Sequence, residues 1–525
     1  MIQKFLGTAL LVTALPALAA GPDELINPWF AQGREAVAEA RATPVPPAHA
    51  RNVILFVGDG MGVPTVTAAR ILAGQKREQS GEENWLSFET FPWLALVKTY
   101  NTDQQIPDSA GTVTAMLSGV KTRAGVIGVD ETAVRGDPAT VAASRIPNLF
   151  EQAHARGLGT GVVTTTRITH ATPAGAYAHT PERNWEDDRS LSKAARRADF
   201  PDIAQQLVAF PNGSSEGLDL VLGGGRRAFL PSNPPPGGSK GKRADGQNLV
   251  AAWQAGNPNR TYVRNLEELQ ALEPRAGKQV LGLFADSHMS FEADREADHA
   301  DEPSLARMTR FAIDLLSKNP RGYVLLVEGG RIDHAHHANN AYRALTDTLA
   351  FDEAVAQALE QTDPKKTLIL VTADHGHPIS LRGYPVRGNP ILGQVMENDA
   401  TDKPPGKPAH DQHGQPYTTL SYGAGPGFGA QTGSDSEAMK PHDDASEANT
   451  PSAMHSKKTN PRDPDYRQEA TRPLAYGTHS GEDVPLYATG PGADLFRGVI
   501  EQNYIYHAIT EALGWNDAQQ ENPEP

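Results

Sequence analysis

The chain has 525 residues, a formal net charge of −15 and no Cys. Its length predicts one large catalytic domain with insertions, or two domains. The negative charge argues against nucleic acid as a specific partner. Without Cys there are no disulfides and no thiolate zinc sites, so His, Asp, Glu and hydroxyl groups would have to hold any metal.

The first residues, 1–19, have the pattern of a secretory signal peptide. Lys4 precedes an apolar run from Phe5 to Leu15, and Ala17-Leu18-Ala19 supplies a small-residue cleavage site. The alternative, a membrane anchor, is disfavoured because the run is short for a bilayer and no second span follows. We therefore expect a periplasmic or secreted protein without a membrane span, whose catalytic domain comprises residues 20–525.

Four apolar runs along the chain end in acids, histidines or hydroxyls. Their continuous hydrophobicity is typical of parallel strands buried on both faces. They are NVILFVGDGMG, ending in Asp59; GTGVVTTTRITHAT, ending near His170 and Thr172; YVLLVEGG, ending in Glu328; and TLILVTADHGH, ending in Asp374 and His375. Helical patterns at 304–318 and 341–361 lie between runs. This alternation predicts an α/β fold with a central, mostly parallel sheet flanked by helices on both faces.

The polar strand ends predict a binding site at one edge of that sheet, where ligands of open α/β sheets bind. A single acid after a strand is usually a capping or loop residue. Four such ends with interleaved histidines indicate a site.

A loop-rich lobe, residues 380–475, is predicted to be inserted within the catalytic domain. Its 403–470 part is rich in Pro, Ser, Asp and Gly, which is typical of surface insertions, and it flanks a short strand around Tyr417–Tyr422. Its histidines are interpreted as solvated rather than metal-binding; they are His410, His413, His442 and His455.

Further candidate ligands lie in RIDHAHHANN and THSGED. Asp333 and His337 are four apart and would share one helical face. Imidazole and carboxylate ligands suit zinc, although an exposed polar helix start is the alternative. His479 taken alone is more often structural than a ligand.

Ser109 lies where PDSAGTVTAMLSGVKT is expected to begin a helix. Asp108 or Ser109 could serve only as the N-cap. A hydroxyl at this position also faces backbone N–H groups that favour a phosphate, and beside a divalent cation it can lose its proton without a His base. Arg183 follows the strand-end His/Thr pair and could clamp two phosphoryl oxygens, the alternative being a surface charge.

Together these residues resemble the alkaline phosphatases, from about Arg51 to Ile509 and more closely the animal type than the enterobacterial type. The resemblance is carried by TTTRITHATPAGAYAHTPERNW, LGGGRRAFLP, NPRGYVLLVEGGRIDHAHHANNAYRALTDT, VTADHGH and THSGEDVPLYATGPGA. It implies hydrolysis of small phosphate monoesters through a phosphoserine, with two Zn²⁺ and one Mg²⁺ as cofactors. Dimerisation is an expectation from the resemblance only.

The resemblance also implies individual roles. Ser109 matches the nucleophile, which also contacts metal, and Arg183 matches the phosphate-binding arginine. The implied ligands are Asp333, His337 and His479 for the first zinc, Asp59, Asp374 and His375 for the second, and Thr172 and Glu328 for magnesium, with Asp59 bridging to it.

Three positions differ from one or the other type of the family. His170 stands where the enterobacterial type has an Asp near magnesium, and His334, an expected substrate-binding residue, stands where it has a Lys. Both changes alter the charge near the third metal. Ala285 replaces a Glu of the calcium site of animal enzymes, so we do not expect calcium.

Two other functions remain open from the sequence. A phosphodiesterase of the same superfamily would use the same metal ligands, but Arg183 favours monoesters. A secreted zinc-binding or adhesive protein would have a closed site without a nucleophile, and Ser109 beside Arg183 argues against it.

Overall fold

The computed structural model describes residues 28–211, 216–236, 238–398, 406–427 and 460–515. The chain divides into an N-terminal unit that ends at Val45 and a main unit that begins at Pro46. The N-terminal unit contains helix α1, Pro28–Ala42. The expected signal peptide lies outside the described residues and stays a prediction.

The main unit has thirteen strands in its described part. They are β1 (Asn52–Gly58), β2 (Trp93–Lys98), β3 (Gly159–Arg167), β4 (Leu220–Gly224), β5 (Arg260–Val263), β6 (Gln279–Leu283), β7 (Tyr323–Gly329), β8 (Thr367–Ala373), β9 (Ile379–Leu381), β10 (Leu420–Gly425), β11 (Ala470–Pro473), β12 (Val484–Thr489) and β13 (Gly498–Glu501).

Ten of these strands form one sheet in the order β13-β2-β12-β8-β1-β7-β3-β4-β6-β5. Only β12 runs antiparallel to its neighbours, β2 and β8. The predicted mostly parallel α/β sheet is therefore confirmed. Its central strands β1, β7 and β8 are buried almost throughout, which explains their continuous hydrophobicity.

Helices cover both faces of the sheet. Those of the main unit are α2 (Val63–Gln75), α3 (Ser109–Ser118), α4 (Val141–Ser144), α5 (Leu149–Ala155), α6 (Ala171–Ala174), α7 (Lys193–Arg197), α8 (Ile203–Val208), α9 (Leu249–Ala255), α10 (Leu266–Gln270), α11 (Leu305–Leu316), α12 (Arg331–His337), α13 (Ala341–Gln361) and α14 (Tyr504–Ala512). One group packs α11, α13 and α2 together, and another packs α3 with α6 and α14. The helices predicted at 304–318 and 341–361 are α11 and α13.

The strand register brings the predicted site residues to one edge. Val57 of β1 pairs with Glu328 of β7, and Gly58 pairs with Ala373 of β8. Because the three strands are parallel, the residues that follow them emerge side by side. Asp59, Glu328 and Asp374 therefore converge.

A second, three-stranded sheet has the order β11-β10-β9 and lies within the predicted lobe except for Ile379, the first residue of β9. The strand expected around Tyr417–Tyr422 is β10, which begins three residues later at Leu420. His410 and His413 are exposed, as predicted, whereas His442 and His455 lie outside the described residues. Among the described helices, none has the length and apolar character needed to cross a membrane.

Candidate metal centre and active site

The first group of potential metal ligands is assembled around helix α12, which begins immediately after β7. Asp333 and His337 lie one turn apart, with Oδ1 and Nε2 separated by 3.2 Å. His479 arrives from the segment before β12, and its Nε2 lies 3.0 Å from Nε2 of His337. The predicted shared helical face is therefore confirmed, and His479 joins it.

His377 completes this group, although the sequence reasoning did not assign it. Its Nε2 lies 2.6 Å from Oδ1 of Asp333. The ligand atoms of Asp333, His337, His377 and His479 all lie within 4.8 Å of one another. The sequence did indicate His377 as a candidate, because it lies in VTADHGH two residues after His375. It did not indicate that this segment contacts α12.

Hydrogen bonds fix the ring tautomers of two of these histidines. Nδ1 of His337 donates to the carbonyl of Gly477, and Nδ1 of His479 donates to the carbonyl of Pro107 at 2.8 Å. In a neutral imidazole the other nitrogen, Nε2, then has a lone pair. Both Nε2 atoms are therefore prepared to bind a cation.

The second group lies at the ends of β1 and β8. Nε2 of His375 lies 3.2 Å from Oδ2 of Asp374 and 3.6 Å from Oδ1 of Asp59. Asp374 is oriented through Oδ1, which accepts hydrogen bonds from the backbone N–H groups of Gly60 and His375. Asp333 also lies within 4.8 Å of Asp59 and His375, so the first two groups adjoin.

A third group consists of Asp59, His170 and Glu328, so Asp59 belongs to two groups. His170 is the N-cap of α6, and Thr172 lies in the first turn of this helix. Thr172 is fully buried, and its hydroxyl lowers the pKa of Glu328. The structure thus brings together all the residues expected around magnesium.

The buried carboxylates destabilise one another. Burial and repulsion by Asp374 raise the pKa of Asp59 well above its usual value. Burial, opposed in part by hydroxyl groups, raises the pKa of Glu328 to about 7, and burial raises that of Asp374 to about 6. A bound cation would relieve this repulsion and favour the ionised carboxylates.

Several buried atoms also have no hydrogen-bond partner among the described residues. These are both carboxylate oxygens of Asp59, Oε1 of Glu328, Nδ1 of His170 and Nδ1 of His375. Unpaired buried polar atoms are costly, and their convergence on the two groups that share Asp59 fits bound metal ions. Oxygen and imidazole donors without thiolate suit both Zn²⁺ and Mg²⁺.

Ser109 is the first residue of α3, and Asp108 is the N-cap, whose carboxylate accepts from the N–H of Gly111 at 3.0 Å. Oγ of Ser109 lies 3.2 Å from Nε2 of His375. The hydroxyl therefore lies beside the second group and at a helix N-terminus. Ser109 is not the cap, which removes the simpler structural explanation for it.

Arg183 lies next to Ser109 and the third group. Its Nη1 donates to Oδ2 of Asp108 at 3.1 Å, and its Nη2 lies 3.3 Å from Nε2 of His170. Its side chain is 11% exposed, so it is no ordinary surface charge. A buried fork beside a hydroxyl at a helix N-terminus is suited to an anion with several oxygens.

His334 lines the same cleft, which has a volume of 830 Å³ and also contains Ser109 and Arg183. Nη1 of Arg331 donates to Nδ1 of His334 at 3.2 Å. Burial lowers the pKa of His334 well below its usual value, so the ring is neutral with its proton on Nε2. Arg331 and the neighbouring His288 were not identified from the sequence.

This geometry defines the class of the protein. A hydroxyl lies beside clustered carboxylates and imidazoles, and a guanidinium is in place for a tetrahedral anion. Such an arrangement, at the carboxyl edge of a mostly parallel sheet, is that of a metal-dependent hydrolase acting on phosphoryl groups.

Comparison with known proteins gives the family. The sequence profile described as Alkaline phosphatase matches residues 50–515. The chain is 41% identical over 520 residues to the tissue-nonspecific isozyme of alkaline phosphatase from Gallus gallus, covering 96% of this chain and 93% of the relative. It is 41% identical to alkaline phosphatase from Gadus morhua, covering 88% and 91%. The chain belongs to the alkaline phosphatase family and is a phosphatase, and the resemblance to the animal type is confirmed.

Solved structures share the fold. Alkaline phosphatase from Thermus thermophilus has a TM-score of 0.60 and 26% identity, covering 90% of this chain and 93% of that one. The enzyme from the Antarctic bacterium TAB5 has a TM-score of 0.58 and 23% identity, covering 89% and 99%. The sheet and its helices are therefore common to bacterial enzymes of this family.

Proposed function

We propose that this phosphatase hydrolyses small phosphate monoesters in two steps, with Ser109 transiently phosphorylated. Hydrolysis of phosphate monoesters follows from family membership. The observation that carries the covalent route is the position of Ser109, whose Oγ lies 3.2 Å from Nε2 of His375 at the start of α3. The phosphodiesterase alternative gains no support, since the relatives described above are alkaline phosphatases.

The residues in place would hold three cations. Asp333, His337 and His479 would bind one zinc, Asp59, Asp374 and His375 a second, and Thr172 and Glu328 a magnesium shared with Asp59. When bound, such ions stabilise ester oxygens as Lewis acids and lower the pKa of hydroxyls and water. The unpaired oxygens of Asp59 and Glu328 support this assignment.

In the first step, Oγ of Ser109 gives its proton to solvent water, which in turn supplies the proton taken by the leaving group, and attacks phosphorus in line. The new Oγ–P bond forms as the bond from phosphorus to the ester oxygen breaks, and the departing alkoxide takes a proton from water. In the second step, water attacks the phosphoserine, and Ser109 regains its hydroxyl as inorganic phosphate leaves.

Arg183 holds the phosphoryl oxygens during both steps. Asp108 fixes one side of its guanidinium, and backbone N–H groups at the start of α3 face the same anion. His334 lines this cleft with its proton on Nε2, so it can donate a hydrogen bond to substrate or to an intervening water. These donors are in place where negative charge accumulates in the transition state.

We assign His377, the fourth member of the first group, the role of positioning Asp333 rather than of binding metal. Its Nε2 donates to Oδ1 of Asp333 at 2.6 Å, which holds this carboxylate against His337 and His479. Outer partners of this kind orient metal ligands and change metal affinity. His377 therefore acts through Asp333.

The localisation and the oligomeric state are proposed from the sequence. The pattern at residues 1–19 supports a periplasmic or secreted enzyme, and the resemblance supports a homodimer. Zn²⁺ and Mg²⁺ are the proposed cofactors, and Ala285 leaves calcium unsupported.

An assay with an aryl phosphate at alkaline pH tests the proposal. Chelation should abolish hydrolysis, and zinc with magnesium should restore it. Ser109→Ala should remove most of the rate, whereas Ser118→Ala at the other end of α3 should not. Substrate or phosphate at acidic pH should leave phosphate on Ser109, because the second step is slowed there. A label on another residue, or full activity after metal removal, would refute the route.

A further inference from the structure

One wall of the cleft is apolar and partly exposed, unlike the charged side that contains Arg183. Ile106, Pro107 and Tyr476 line this wall, and we name the three residues the apolar wall. Ile106 is 46% exposed, Tyr476 is half-buried and Pro107 is buried. Accessible apolar side chains in a cleft lined mainly by polar groups mark a place for an apolar part of a ligand.

Tyr476 is anchored against a proposed metal ligand. Its ring centroid lies 3.9 Å from that of His337, and the two rings are 21° from parallel. The ring is therefore fixed in one plane at the edge of the first group of ligands. A planar ring held in this way can pack with another planar ring at small entropic cost.

The two segments that form the apolar wall are bound to the same group. His479 donates to the carbonyl of Pro107, and His337 donates to the carbonyl of Gly477, next to Tyr476. A Cβ atom at Gly481 would lie 3.5 Å from Cγ1 of Ile106. The segment that contains Ile106 and the segment that follows Tyr476 therefore also approach each other directly. The wall is rigidly placed relative to His337 and His479.

This placement determines which part of the substrate meets the wall. Ser109 lies beside His375 of the second group, so in-line attack directs the leaving oxygen away from it, towards Asp333, His337 and His479. The substituent on that oxygen then extends next to His337, where Tyr476 lies. A cleft of 830 Å³ is in the range that accommodates drug-sized ligands and is far larger than a phosphate requires.

We infer that Tyr476 is a specificity-determining residue that packs against a planar ring in the leaving group, so that the enzyme prefers aryl and benzyl phosphates to small alkyl phosphates. This inference rests on the proposed function, because it takes the leaving oxygen to lie at the first group. It concerns the alcohol part of the substrate, whereas Arg183 and His334 concern the phosphoryl part.

Benzyl phosphate and ethyl phosphate test this inference, because both release primary alcohols and differ mainly in the ring. We compare kcat/KM for both substrates in the wild-type protein, Tyr476→Ala, Tyr476→Leu and Tyr476→Phe. Tyr417→Ala is the matched control. Tyr417 is also a half-buried tyrosine, but it packs against Arg382 instead of His337 and does not line the cleft. Metal content and inhibition by inorganic phosphate are measured on each preparation.

The wild-type protein should prefer benzyl phosphate, and Tyr476→Ala should reduce that preference roughly 3- to 10-fold, the range of an aromatic pair. Tyr476→Phe should keep it, Tyr476→Leu should keep only part, and Tyr417→Ala should behave as wild type. Inhibition by phosphate should change less than benzyl turnover, because phosphate has no leaving group.

Equal losses on both substrates in Tyr476→Ala, or an unchanged preference, would overturn the inference while leaving the proposed function intact. The preference ratio compares two substrates on one preparation, so a loss of metal in the variant does not imitate the expected result. Failure of the metal-loaded wild-type protein to hydrolyse either substrate would instead overturn the proposed function.

Discussion

Asp108 and Arg183 form an ion pair, with 3.1 Å between Oδ2 and Nη1, and the same carboxylate caps the helix that begins at Ser109. The Asp108 carboxylate also accepts from the N–H of Gly125 at 2.9 Å. Burial would raise the pKa of Asp108, but Arg183 and these N–H groups hold it below its usual value. The proposed nucleophile and phosphate clamp therefore share one ionised anchor.

Arg183→Ser should reduce hydrolysis of an aryl monoester strongly and hardly affect the slow hydrolysis of the corresponding methyl diester. A monoester offers two free oxygens to the guanidinium, whereas a diester substituent prevents the fork from closing. We expect a loss of about 2–5 kcal/mol for the monoester, or roughly 30- to several-thousand-fold in kcat/KM. Arg135→Ser, which changes a half-exposed arginine of the same cleft, is the control. Equal losses on both substrates would make Arg183 structural.

His170→Asp should increase the dependence of activity on magnesium. A neutral imidazole gives the third group less negative charge than a carboxylate would. The group with His170 therefore favours magnesium over zinc less strongly. Metal analysis after dialysis against both ions, with a magnesium activation curve, measures the change. His413→Asp adds the same charge at an exposed position and should have no effect. An unchanged response to magnesium would mean that His170 does not lie near the ion.

Arg243→Met should destabilise the fold by about 3–5 kcal/mol, because Asp202 would lose its buried partner. The guanidinium of Arg243 is fully buried and lies 2.9 Å from Oδ2 of Asp202. Arg275→Met removes an exposed, solvent-screened pair with Glu273 and should lower the free energy of unfolding far less. Urea unfolding monitored by Trp fluorescence compares the two. Adding Asp202→Asn to Arg243→Met should recover part of the loss, and similar costs for both arginines would contradict this account.

Asp347→Asn should reduce the dependence of stability on pH. Burial raises the pKa of Asp347 to about 8, despite the nearby Arg331. Its pKa in the unfolded chain is about 3.9, so the folded state binds the extra proton and stability falls as pH rises from about 4 to 8. Between pH 5 and 7 the free energy of unfolding of the wild-type protein should fall by up to about 2–3 kcal/mol, and that of the variant should not show this fall. The control Asp363→Asn changes an exposed Asp and should show the same decrease in the free energy of unfolding with pH as the wild-type protein. If Asp347→Asn showed that decrease too, the assignment would be contradicted.

Local patterns predicted much of the fold. Periodicity located α11 and α13 closely, and continuous hydrophobicity located β1, β3, β7 and β8, because each signal lies within one short segment. The reversed direction of β12 was not predicted, since the path of the chain between distant strands determines it. The strand in the lobe was placed early because the apolar run around it is short.

The site was predicted where a ligand follows its own strand or shares a helical turn, as Asp59 and Asp333 do. His377 was missed because its contact with Asp333 joins the end of β8 to a helix that follows β7. His288 was missed for the same reason, since packing rather than spacing brings its ring to 4.2 Å from that of His334. Arg331 was missed although it lies three residues before its partner His334 on α12.

The order in which the ligands occur along the chain has a consequence for biosynthesis. Asp59 follows the first strand of the sheet, whereas His479 precedes β12, the strand that lies between β8 and β2. A ribosome therefore completes nearly the whole domain before the last proposed ligand of the first group exists. Nascent chains and C-terminally truncated fragments should be inert towards cellular phosphate esters, so the order of synthesis itself delays catalysis until the polypeptide is almost finished.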